Sequence, residues 1–317
     1  MIIENQFFLS VGKHNSYQLN VREFYSREKI NPKNKPVVLI HGATIASELW
    51  VNDYRDYSWC HQLSQLGFHV FTCDLLGFRM SKVDNYELLK ISETRADRAA
   101  EHLAELVEYI KSLTENDLVS AIACSWGTVV LTKALGSKLH GSINKSVFYA
   151  PIGFDLCAAE YWKPKYDLIP ERDGEKLGYV FTENKKFIDR WDEEIPVDNK
   201  ELWRRKEVLT SVIENTLKGS VSEGDSFIVP TGPLADLHDI FSGKLVHDPS
   251  SITSSSLVIR ADHDMTSTAF SSENFYKAIY SCDKKYVKIK NGTHFAILEQ
   301  SAKDIFGEII RFLNDYK

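Results

Sequence analysis

Residues 118–135 constrain this chain more than any other stretch. Leu118, Val119, Ala121, Ile122 and Ala123 form a short run of strand-forming and small residues. The chain then turns at Cys124-Ser125-Trp126 and resumes as an apolar helix through Thr128, Val129, Val130, Leu131, Ala134 and Leu135. A strand that stops on a serine and restarts at once as a helix lifts the hydroxyl onto a tight, strained corner at the edge of a sheet. Beside it lie the unpaired N–H groups and the positive dipole end of the helix. Strand and helix crowd together at such a corner, so small residues are needed two positions either side of the serine. Ala123 and Gly127 meet that need, in the pattern small-x-Ser-x-Gly. The alternative is a serine that only caps a helix.

The rest of the chain repeats the strand–helix alternation. Phe7 to Val11 and Tyr17 to Phe24 read as an antiparallel hairpin around His14-Asn15, with Tyr17, Leu19 and Val21 alternating with polar residues. Val37 to Ile40, bounded by Pro36 and Gly42, is a four-residue apolar run suited to a strand buried on both faces. Phe68 to Asp74, Lys145 to Ala150, Ser255 to Ala261 and Lys285 to Lys290 continue the series. Helices are predicted over Ser58 to Leu66 (ended by Gly67), Ile91 to Leu113, Phe270 to Tyr280 and Leu298 to Leu313. This predicts an α/β fold: a mostly parallel sheet of about eight strands, covered by helices on both faces. Between Pro151 and about Ser250 the strand-like apolar runs vanish, and aromatics mix with charges, as in Tyr161-Trp162, Trp191 and Trp203. At 317 residues one domain with an insert is expected, with residues 1–150 and 251–317 as its core and 151–250 as the insert.

Three loops join the serine corner in carrying chemistry. His41-Gly42-Ala43-Thr44 follows the first buried strand, Asp262-His263-Asp264 follows a late one, and Gly292-Thr293-His294-Phe295 follows the last. Strand C-terminal ends are where open α/β sheets place their sites. A serine hydroxyl becomes a useful nucleophile only when a base takes its proton and a third group orients that base. With these motifs in this order, over most of its length outside the insert, the chain resembles the serine α/β-hydrolase superfamily, as a cap-bearing, esterase- or thioesterase-like member. The resemblance implies Ser125 as nucleophile, His294 as base and Asp264 as the acid, with Ala261 where the family has glycine and Asp262 as the near alternative. It also implies an oxyanion hole formed by the backbone N–H groups of Ala43 and Trp126, and a helical cap formed by the insert. The Asp74–Ser81 loop resembles the family's D-x-x-G-x-G-x-S, but Arg79 stands where the second glycine usually lies. Cys124 is read as packing, and a serine at the corner disfavours the family branch with an aspartate nucleophile.

A net charge of −6 argues against nucleic acid or anionic membrane as a main partner. No apolar run reaches the roughly 18 residues of a membrane span, and the first residues lack the basic region of a signal peptide. The five cysteines are scattered with no C-x-x-C pair, as expected of reduced thiols in a cytoplasmic protein. The histidines show no metal-binding spacing, so neither metal nor cofactor is expected. The leading expectation is a cytoplasmic serine hydrolase of an apolar or aromatic ester or thioester. A second reading keeps the residues and changes the bond, to release or C–C cleavage of a carrier-bound acyl or polyketide chain. A third, of another class, is a hydrolase-like ligand receptor with little turnover.

Overall fold

In the computed structural model, which describes residues 1–315, the N-terminal alternation folds as a long hairpin. Its strands are β1 (Ile2–Val11) and β2 (Tyr17–Ser26), and left-handed His14 and Asn15 make the turn. β3 (Val37–Ile40), α1 (Trp59–Gln65) and β4 (Val70–Cys73) follow. Then come α2 (Ile91–Thr94), α3 (Ala96–Thr114), β5 (Val119–Cys124), α4 (Trp126–Leu135) and β6 (Ile143–Tyr149). The next stretch holds α5 (Leu156–Asp167), β7 (Glu171–Arg172), β8 (Glu175–Lys176), β9 (Tyr179–Glu183) and α6 (Asn184–Glu194). It continues with α7 (Lys206–Gly219), β10 (Ser222–Glu223) and β11 (Ser226–Pro230). The chain closes with α8 (Gly232–Phe241), β12 (Ser255–Ala261), α9 (Ala269–Ala278), β13 (Lys284–Ile289) and α10 (Ala302–Asn314).

The main sheet has eight strands in the order β1-β2-β4-β3-β5-β6-β12-β13. Only the pairings of β2 with β1 and with β4 are antiparallel; the other neighbours run parallel. Every residue of β3, β4 and β5 is buried, as apolar runs covered on both faces must be. α1 meets α10 where Trp59 packs edge-on against Phe306, and α3 packs on α4 and β5. The expected fold class is therefore the observed one. Among the described residues no helix is long and apolar enough to cross a membrane.

Three expectations need correction. The helix predicted over Ile91 to Leu113 is two helices, broken at Arg95 (ψ 161°). Leaving the helix there lets Arg95 reach Asp236 (2.7 Å) and Asp239 (2.5 Å) on α8, while Asp236 accepts the Ala96 N–H at 2.7 Å. The closing helix starts at Ala302, not Leu298, because Glu299 (ψ 179°) turns its carboxylate back onto Thr293. The insert also holds strands: β9, β10 and β11 form a three-stranded sheet, and β7 pairs with β8. Its two longer strands, Tyr179–Glu183 and Ser226–Pro230, lie more than forty residues apart, so local composition carried no sign of their pairing.

Candidate active site

Ser125 sits at the end of β5 with φ 54° and ψ −126°, a backbone conformation that an L-residue adopts only under constraint. Packing imposes it. The Ser125 N–H donates to the Tyr149 carbonyl of β6 at 3.0 Å, and the Ser125 carbonyl accepts the Thr128 N–H at 2.8 Å in the first turn of α4. Gly127 is required: a Cβ there would lie 2.4 Å from the His41 carbonyl oxygen and 2.9 Å from that of Ile40. Gly42 brings the opposite turn close too, though less tightly, since a Cβ on it would meet Ser125 Cβ at 3.2 Å.

The serine hydroxyl meets the late histidine. His294 Nε2 lies 2.8 Å from Ser125 Oγ, and His294 Nδ1 lies 2.9 Å from both carboxylate oxygens of Asp264. All three side chains are buried. Asp264 Oδ1 also accepts the N–H groups of Thr266 (2.8 Å) and Ser267 (2.7 Å), which fix the carboxylate in place. Asp262, the alternative in the sequence, instead accepts the Gly292 N–H at 3.3 Å and braces the turn that carries His294. Cys124 lines the cavity beside Ser125, but burial pushes its thiol well up, so a thiolate there is disfavoured.

Ala43 lies in the cavity wall with Gly42 and Ser125, and Trp126 is the first residue of α4. Neither backbone N–H has an acceptor among the described residues. His41 fixes the Gly42–Ala43 peptide. Its Nε2 accepts the Leu75 N–H at 3.0 Å, so Nδ1 carries the proton and donates to the Gly42 carbonyl at 2.8 Å. The Ala43 N–H belongs to the same planar peptide and is thereby oriented with it. Complete burial lowers the His41 pKa, which keeps the ring neutral as this arrangement requires.

Two buried carboxylates that no motif marked anchor the turn that carries His294. Glu194 of α6 accepts the His294 N–H at 2.8 Å. Glu299 accepts the Thr293 N–H (3.0 Å), the Thr293 hydroxyl and the Trp191 indole N–H (2.7 Å). Burial raises both carboxyls, Glu299 to about 7. Glu299 was visible only as a neighbour of the histidine turn, and Glu194 sits in an insert helix whose approach to that turn is purely tertiary.

The cavity over Ser125 measures about 50 Å³ and is walled by Ile45, Leu49, Trp162, Phe187, Leu237 and Phe295. Among the described residues no group of three or more His, Cys, Asp or Glu is disposed to hold a metal ion.

The profile of the alpha/beta hydrolase family matches residues 37–307. No curated protein matches the chain in sequence. Among solved structures, a hydrolase from Pseudomonas aeruginosa PA01 is 17% identical with a TM-score of 0.68, over 98% of this chain and 98% of that one. A thermophilic esterase from Thermogutta terrifontis is 16% identical (TM-score 0.65, 98% of each chain). An enol-lactonase from Burkholderia xenovorans LB400 is 17% identical (TM-score 0.65, 97% of this chain and 100% of that one). At such identities the neighbours establish the fold, and the match over residues 37–307 establishes the family. The chain belongs to the alpha/beta hydrolase family and is an enzyme of the hydrolase class.

Proposed function

We propose that the protein cleaves a carboxylic ester or thioester through an acyl-enzyme on Ser125. The observation that carries this reading is the unbroken line of contacts from Ser125 Oγ to His294 Nε2 (2.8 Å) and from His294 Nδ1 to Asp264 (2.9 Å). In this reading Ser125 Oγ attacks the acyl carbonyl while His294 Nε2 takes its proton. Asp264 holds the Nδ1–H and balances the imidazolium charge. The N–H groups of Ala43 and Trp126 receive the tetrahedral oxyanion, and a donor of this kind is worth about 3–4 kcal/mol of barrier. His294 then gives its proton to the departing alcohol or thiol. It next takes a proton from water, whose attack on the acyl-enzyme releases the acid, and it returns that proton to Ser125 Oγ as the acyl–oxygen bond breaks.

The cavity walls favour an apolar group next to the scissile carbonyl. Its roughly 50 Å³ is about a third of the ~150 Å³ that accommodates benzene in an engineered apolar cavity, so that group is short. The insert would act as the cap, since its Trp162 and Phe187 wall the cavity. We place its end near residue 231, because α8 is tied to the core through Asp236, which also accepts the Trp126 indole N–H at 2.9 Å. Five free thiols suit a reducing compartment, and the cytoplasm is the proposed location.

The test is hydrolysis of p-nitrophenyl acetate and butyrate by the wild-type and Ser125→Ala proteins, with circular dichroism to verify folding. Wild-type turnover should vanish in the alanine variant. Persistence of a comparable rate in folded S125A would refute the assignment.

A further inference from the structure

Two cavities share a wall above the serine. One is the cavity of about 50 Å³ at Ser125; the other, of about 250 Å³, is lined by Cys157, Tyr161, Glu193, Glu194, Met265 and Thr268. Arg190 and Thr266 line both. Arg190, on α6, is held between two rings, its guanidinium carbon 4.9 Å from the centroids of Trp162 and Phe295. Its Nη2 donates to Thr266 Oγ1 at 2.7 Å and stands 3.4 Å from Glu194 Oε1, and the Tyr161 hydroxyl contacts the same guanidinium.

The donors in this wall are left over. Arg190 Nε is buried and has no acceptor among the described residues. Thr266 Oγ1, buried, accepts from Arg190 and from the Trp162 indole N–H at 3.3 Å. Those two bonds occupy both hydroxyl lone pairs, and the hydroxyl proton has no acceptor among the described residues. Buried polar groups in native proteins are paired, and an orphan at a cavity wall asks what completes it. Two unmet donors, one on a permanent cation, match a group that only accepts and carries negative charge. Glu194 fills that role poorly: its Oε2 is engaged by the His294 N–H at 2.8 Å, and its other oxygen makes only the long contact to Arg190. Glu193 and Glu194 on the larger cavity would repel a dianion more than a monoanion, which favours a carboxylate over a phosphate.

We propose that the substrate bears a carboxylate bound by Arg190 and Thr266 while its scissile carbonyl faces Ser125. This rests on Ser125 being the nucleophile, and the carboxylate can belong to the acyl or the alcohol side of the ester. Monoethyl glutarate against ethyl valerate tests the acyl side; 4-acetoxybutanoate against butyl acetate tests the alcohol side. In one pair the wild-type kcat/KM for the charged ester should exceed that for the neutral one. Arg190→Gln should lower that charged-to-neutral ratio by roughly 10- to 100-fold, mainly through KM, the range of one charge-assisted hydrogen bond. Arg190→Lys, which keeps the charge without the fork, should fall between, and stands in if the glutamine variant does not fold.

Calorimetric titration of monoethyl glutarate, a monoanion, into S125A, with and without R190Q, reads recognition without turnover. A neutral preference in both pairs, or a ratio unmoved by either substitution, overturns the carboxylate site. No turnover of any ester, but monoethyl glutarate binding that depends on Arg190, supports the site and sinks the hydrolytic reading instead. Neither turnover nor monoethyl glutarate binding overturns both.

Discussion

The backbone at Ser125 should store measurable strain, and two substitutions isolate it. With φ 54° and ψ −126° the residue occupies a region that a Cβ atom disfavours, and such outliers cost about 1–3 kcal/mol. Ser125→Ala and Ser125→Gly both remove the hydroxyl and its contact with His294, so their difference reports the Cβ alone. Glycine relieves the strain but gives the unfolded chain more freedom, which offsets about 0.4–1 kcal/mol. The glycine variant should therefore be the more stable of the two by about 0.5–2 kcal/mol. Urea unfolding followed by tryptophan fluorescence measures this well, because Trp126 is fully buried in the first turn after the corner. With an m-value of about 3 kcal/mol/M, a difference of about 1 kcal/mol moves the midpoint by roughly 0.3 M. A midpoint for S125G at or below that of S125A would mean that the surrounding contacts, not the conformation of residue 125, set the stability of the corner.

Two further outcomes follow from buried geometry. Gly127→Ala pushes a methyl to 2.4 Å from the His41 carbonyl oxygen, so either the serine corner or the His41–Gly42 turn must yield. Overpacking of this kind should destabilise by about 1–3 kcal/mol, and misalignment of the two sides of the site should lower kcat on the order of 100-fold; G127A activity within about threefold of wild type would contradict it. Glu48, 1% exposed, has its carboxyl raised to about 8, by burial first and by the nearby Asp74 second. Its folded pKa thus lies above the ordinary 4.5, so the unfolded chain loses that proton first and stability falls as pH rises from about 4.5 to 8. The fall amounts to roughly 4–5 kcal/mol at 1.36 kcal/mol per unit. Glu48→Gln should make the fall of urea midpoints between pH 5 and 8 shallower, with Glu299 and Glu194, also raised by burial, keeping part of it; a slope equal to the wild type's would locate the titration elsewhere.

What could be read from the sequence was whatever a local pattern encodes. The eight strands of the main sheet are runs of apolar or alternating residues, and each loop at the site follows such a run. Ser125, His294 and Asp264 therefore had the order and the strand-end positions that let a sheet gather them, although choosing Asp264 over Asp262 needed the path of the loop. Arg79 shows where pattern reading fell short. It takes a left-handed φ of 42° in place of the usual glycine, and its guanidinium lies 2.5 Å from Glu48 without the alignment of a hydrogen bond. The same side chain reaches the Asn215 carbonyl on α7 at 3.5 Å, a non-local partner that no spacing rule could supply. Glu194, Arg190 and the insert's small sheet were hidden for the same reason, since each acquires meaning only when segments distant in sequence pack together.

The placement of α6 gives these tertiary contacts a common direction. Within two turns this helix sends Trp191 to Glu299, Glu194 to the His294 N–H and Arg190 to Thr266, the second residue after Asp264. One insert helix thus touches the loop of the proposed base and the loop of the proposed acid. Two of these three contacts use buried carboxylates, which are costly to leave unpaired. Withdrawing α6 would leave the buried His294 N–H without the Glu194 carboxylate and Glu299 without the Trp191 indole N–H, as well as open the cavity roof. The insert is therefore bound to the core by the same hydrogen bonds that orient the histidine, and the order of the site and the closure of its roof are one structural condition.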